Sequence, residues 1–74
     1  MTAEQLRLIR LMNGMTQRAF ADHLNVSRPL ITMIELNERV ITERTKRRIY
    51  EAFGLNDEKL KQLEKTRELI EGWQ

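Results

Sequence analysis

Between Thr16 and Glu35 the chain reads TQRAFADHLNVSRPLITMIE, and this stretch constrains the fold more than any other. Thr16 can accept from the free amides that open a helix, and Phe20, Ala21 and Leu24 then recur at helical spacing on one apolar face. A helix therefore begins at Thr16 and ends near His23. Asn25 comes next, a residue type that tolerates the left-handed backbone needed to stop a helix and turn sharply. Val26 supplies an apolar plug under the turn and Ser27 an N-cap. Pro29 sits in the first turn of the next helix, where a missing amide proton costs nothing. That helix should run from about Arg28 to Leu36. Ile31 and Ile34 point inward, which leaves Arg28, Pro29, Thr32, Met33 and Leu36 on the outward arc.

The flanking sequence completes a five-helix, all-α pattern without repeats. Helix one spans about Ala3 to Met12, with Thr2 and Gln5 as a capping box, Leu6, Ile9 and Asn13 as its stripe, and Gly14 to close it. Helix four should follow Thr42 and run to Phe53, where Gly54 takes the left-handed position and Leu55 folds back onto the core. Helix five starts after Asn56 and continues to about Gly72, with Leu60 and Leu63 extending the core.

A chain of 74 residues has room for one domain with a small core, burying about 60 to 65 per cent of its unfolded surface. Residues 1–74 are accordingly expected to form a single domain, with its core at about 3–63 and a helical extension at about 57–72. No cysteine is present, so neither a disulfide nor a thiolate zinc site can supplement the core, and a reducing cytosol fits. No apolar run is long enough to span a membrane, and the start lacks the layout of a signal peptide. Up to Leu55 there are nine Lys and Arg against six acids, whereas the tail carries four against five. The excess positive charge thus lies in the first four helices, the right direction for contacts with phosphates.

The ordered set Leu6-x-x-Ile9-Arg10, Gly14-Met15-Thr16-Gln17, Phe20-Ala21, Leu24-Asn25-Val26-Ser27, Ile31, Ile34-Glu35 and Ala52-Phe53-Gly54-Leu55 resembles the phage-repressor-like family. These are the Cro and lambda-repressor type regulators, also called the xenobiotic-response-element family. The resemblance covers roughly residues 4 to 63. It implies a compact lambda-repressor-like domain whose helices two and three form a DNA-binding helix-turn-helix. It further implies that Gln17 touches a phosphate or braces a side chain of the reading helix, against the plainer role of a surface residue; Arg18 beside it joins the DNA-facing set. By the same resemblance Arg10 pairs with Glu35, shielded from water, and Asn37, Glu38 and Arg39 run along the DNA backbone. Glycine is usual where Asn37 stands, and asparagine is the next best occupant of that left-handed position.

Along the expected reading helix, Arg28 is the best candidate for base recognition, because a guanidinium can bond to guanine O6 and N7 together; the alternative is a solvated charge. Ser27 can donate to a phosphate as well as cap. Thr32 can reach a base edge or a thymine methyl, while Pro29 and Met33 offer apolar contact. Many relatives carry polar residues along this arc, and here Pro29, Met33 and Leu36 are apolar, with Leu30 close by. Either readout leans on thymine methyls and DNA shape, or the face docks a protein, or Leu30 and Leu36 pack against helices two and four, the reading favoured for those two leucines. Arg39, Lys46 and Arg47 would clamp phosphates, or the last two form a solvated helix face. The basic start of helix four would oppose the local dipole unless an anion is bound.

Leu69, Ile70 and Trp73 form a second apolar set on helix five. They suit either a homodimer contact or a helix end folded back over helix one, since Arg67 interrupts the heptad. His23 is the only histidine and is expected on the exposed side of helix two, with no partners for a metal or nucleophile site. An enzyme is not expected, nor a cofactor, metal or small-molecule ligand. The expectation is a cytoplasmic, nucleoid-associated transcriptional regulator, a phage or mobile-element repressor that places helix three in the major groove of double-stranded DNA. The alternative is the same fold used as an antirepressor or adaptor that docks a regulatory protein partner through Pro29, Met33 and Leu36.

Overall fold

Each helix opens on a side chain that satisfies an otherwise free amide. In the computed structural model, which describes residues 1–71, the helices are α1 (Ala3–Met12), α2 (Gln17–Leu24), α3 (Arg28–Glu35), α4 (Glu43–Phe53) and α5 (Asp57–Glu71). Thr2, Thr16, Ser27 and Thr42 accept from the amides of Gln5, Ala19, Leu30 and Thr45, and Asn56 accepts from Lys59. At α1 the box is reciprocal, with Gln5 Oε1 accepting from the Thr2 amide at 2.9 Å. These caps offset part of the cost of starting short helices, roughly 1 kcal/mol apiece. Among the described residues there is no strand.

The first four helices also stop in one way. Gly14, Asn25, Asn37 and Gly54 take positive φ values of 64°, 58°, 60° and 61°. The following amide then donates five residues back: Met15 to Arg10, Val26 to Ala21, Glu38 to Met33 and Leu55 to Tyr50. This closure satisfies carbonyls that a helix end leaves free. After three of the stops an apolar residue, Met15, Val26 or Leu55, packs against the core. After α3 the residue is Glu38, which is exposed, so no apolar anchor follows that stop.

Every helix contributes to one core: Leu6 and Ile9 from α1, Phe20, Ala21 and Leu24 from α2, Ile31 and Ile34 from α3, Ile49 from α4 and Leu60 from α5. Burying each large side chain contributes about 1.5 to 3 kcal/mol before the cost of ordering the chain. Phe53 closes the α4 side, its ring stacked on Phe20 with centroids 5.4 Å apart. Packing joins α2 to α3 and α4, and α1 to α3 and α5. As expected, Leu63 packs at the margin of this core, and so does Leu30.

Leu36 is a correction. Expected to pack against helices two and four, it is 62% exposed. α3 ends at Glu35, Leu36 serves as its C-cap, and the unanchored turn at Asn37–Glu38 carries the chain away from the core; Val40 farther along is 85% exposed. The α3–α4 connection thus exposes residues 36–40 and returns to the core at Ile41.

Candidate nucleic-acid interface

Glu35 is the electrostatic centre of the α1–α3 packing and the only charged residue among the buried ones described. Arg10 meets its carboxylate with two bonds, Nε to Oε2 and Nη2 to Oε1, both at 2.8 Å, and donates its Nη1 to the Met15 carbonyl at 3.0 Å. One guanidinium therefore ties α1, the α1–α2 turn and α3 together. Burial alone would raise the Glu35 pKa, but the hydrogen bonds and charge of Arg10, the bond from Arg7 and one from Gln17 outweigh it and hold the carboxyl below its ordinary range.

Arg7 is the residue that sequence reasoning passed over. Its Nε lies 3.2 Å from Glu35 Oε1, and its Nη2 donates to the Glu35 main-chain carbonyl at 2.6 Å. A signal was present: Arg7 and Arg10 are three apart and share a face of α1.

Gln17 joins this ionic centre to the outward face of α3. Its Oε1 accepts from Thr32 Oγ1 at 3.0 Å, and its side chain helps to hold Glu35 in the charged form. Around Thr32, Arg28 and Pro29 are exposed and Met33 is half-buried. Ser27 Oγ accepts from the Leu30 amide at 3.3 Å. Arg18 is exposed on the first turn of α2. Neither α2 nor α3 has an acid in its first turn, so the positive ends of both helix dipoles are uncompensated by side chains. Asn37 and Arg39 are exposed in the α3–α4 connection, where Arg39 lines a shallow groove with Met1, Thr2 and Val40.

α4 starts after Thr42 as expected, but the charges at its start differ from the expectation. Its first residue is Glu43, an acid that complements the dipole, so the expected conflict with basic side chains is relieved. Lys46 is turned toward α5, with Nζ 3.6 Å from Asp57 Oδ1 and 5.5 Å from the Tyr50 ring centroid. Arg47 is exposed. The structure thus groups Gln17, Arg18, Ser27, Arg28, Pro29, Thr32 and Met33 on α2 and α3, and it places Lys46 in a separate contact at the α4–α5 junction.

A family model described as a helix-turn-helix domain matches residues 3–66, most of the chain. The chain belongs to the helix-turn-helix family. It is of the Cro, lambda-repressor and xenobiotic-response-element type, a family of DNA-binding regulatory domains, not of enzymes. In the same comparisons no curated protein and no solved structure matches it. The helix-turn-helix pair is α2 and α3, joined through Asn25.

His23 is exposed, as expected, and its ring lies tilted against Phe53 with centroids 5.1 Å apart. Among the described residues no group of three His, Cys, Asp or Glu could hold a metal ion, and no helix is long and apolar enough to cross a membrane. On α5, Glu64 accepts from Gln5 Nε2 at 2.9 Å, which lays this part of the helix against α1. Leu69 farther along is 72% exposed. Trp73 and the side chain of Ile70 lie outside the described residues.

Proposed function

We propose that this helix-turn-helix protein is a sequence-specific transcriptional regulator of the phage or mobile-element repressor kind, with residues 1–74 acting as one unit. α3 enters the major groove and Arg28 reads guanine through O6 and N7. The amides and hydroxyls at the starts of α2 and α3, with Arg18, Ser27, Asn37, Arg39 and Arg47, hold the flanking phosphates. Lys46 joins them by releasing its exposed contact with Asp57. The observation that carries the reading is the α3 face itself. Arg28 and Pro29 are exposed at its start and Thr32 and Met33 are half-buried farther along, while Ile31, Ile34 and Glu35 are buried. A homodimer, with Leu69, Ile70 and Trp73 as contacts, would address two half-sites about one helical turn apart.

The exposure of Leu36 next to half-buried Met33 favours a second reading, in which Pro29, Met33 and Leu36 dock a regulatory protein as an antirepressor or adaptor would. Binding measurements on Arg28→Ala and Met33→Glu separate the two. DNA readout requires Arg28→Ala to relax preference at one base position, by roughly five-fold or more. A docking protein requires DNA-independent partner binding that Met33→Glu abolishes and Arg28→Ala leaves intact.

A further inference from the structure

The bond between Thr32 and Gln17 fixes the hydrogen-bonding polarity of the α3 face. Thr32 Oγ1 lies 3.0 Å from Gln17 Oε1. The amide oxygen cannot donate, so the bond uses the single proton of the threonine hydroxyl. The amide presents its oxygen, not its NH2, to α3. Gln17 helps to hold the Glu35 carboxyl in its charged form, and an ionised carboxylate only accepts. Gln17 turns its oxygen toward Thr32, and the NH2 on the other side of the amide is the end compatible with a charged Glu35. Arg10, with its two 2.8 Å bonds to Glu35, keeps that carboxylate charged. The hydroxyl of Thr32, half-buried at the base of the outward face, is left with only lone pairs to offer.

We propose that Thr32 reads its base position as a hydrogen-bond acceptor, selecting an exocyclic amine, adenine N6 or cytosine N4. Gln17 is the positioning residue that forbids the opposite polarity. Guanine O6 and thymine O4 would set a lone pair against a lone pair at this point and are disfavoured. This inference rests on the DNA-reading function proposed above and adds the chemical class of base taken at one position.

The test uses the duplex that the wild-type protein enriches from a random pool, together with its single-base variants, and measures binding by wild type, Thr32→Val, Thr32→Ser and Gln17→Leu. In wild type, one position of the half-site should favour adenine or cytosine over guanine or thymine by about five-fold or more. Thr32→Val should flatten that position alone, and Thr32→Ser should retain the preference. Gln17→Leu, which frees the hydroxyl to donate, should admit guanine and thymine at the same position. It also locates that position independently if Thr32→Val does not fold. A purely structural role for Gln17 would weaken binding to all sequences alike. The inference is overturned if Thr32→Val or Gln17→Leu changes no single position, or if the position they change favours guanine or thymine in wild type. Failure of the wild-type protein to enrich any sequence overturns the DNA reading along with it.

Discussion

Arg7 donates to both the side chain and the main-chain carbonyl of Glu35, at 3.2 and 2.6 Å, while Arg10 takes the same carboxylate with two bonds. The two arginines are not equivalent. The Arg10 side chain is 12% exposed and that of Arg7 40%, so water can replace Arg7 far more readily than Arg10.

Thermal melting should reflect that difference. Arg10→Met strands the buried Glu35 charge and should cost roughly 3 to 5 kcal/mol. Arg7→Met, discounted for solvent access, should cost about 1 kcal/mol. With a midpoint shift of about 4 to 8 °C per kcal/mol in a domain of this size, the two are readily separated. Equal shifts, or an unchanged midpoint for Arg10→Met, would contradict the assignment.

Acid should remove the contribution of the same cluster. The folded pKa of Glu35 lies below its ordinary value of 4.5, so its charged form is the one favoured by folding. The resulting stability is fully present above about 4.5 and is lost as pH falls through 4.5 and then through the lower folded value. Denaturant unfolding of wild type and Glu35→Gln should give stabilities that converge as pH drops through this range. A constant difference would argue against the shift.

Tyr50, the only tyrosine, offers a spectroscopic test of the α4–α5 junction. Its hydroxyl donates to Asp57 Oδ1 at 2.7 Å. Burial first, then this bond and the negative charges of Asp57 and Glu43, push the phenol up to about 12. Being raised, it contributes stability that is present below 10 and lost as pH rises toward 12. Ultraviolet titration of the phenolate should show the high midpoint in wild type and a lower one in Asp57→Asn. A wild-type midpoint near 10 would show that the bond does not form.

The left-handed stops at Asn25 and Asn37 should tolerate glycine and resist β-branched residues. Asn37→Gly should be neutral or stabilising by up to about 1 kcal/mol, whereas Asn37→Val should lose about 1 to 2 kcal/mol. Urea unfolding of both variants checks this, and a stable Asn37→Val would contradict the backbone assignment.

Local chemistry made most of the fold legible in the sequence. Thr2, Thr16, Ser27 and Thr42 announce helix starts, and Gly14, Asn25 and Gly54 announce stops, because each acts on amides or carbonyls within a few residues. Arg28, Pro29, Thr32 and Met33 could likewise be placed outward from helical period alone. What the sequence hid depends on how distant elements meet. The exposure of Leu36 follows from a stop that Glu38, unlike Val26 or Leu55, does not anchor in the core. The turn of Lys46 toward Asp57 depends on where α5 returns, and the choice of Thr32 as the side chain that meets Gln17 on the separation of α2 and α3. None of these has a period to read.

The most direct measurement is selection of the wild-type protein on random DNA duplexes at low salt, followed by sequencing of the bound fraction. Enrichment of one motif, with half-sites about one helical turn apart if the protein binds as a dimer, is the expected result. Binding that neutralises phosphates but enriches no sequence would contradict base readout by α3.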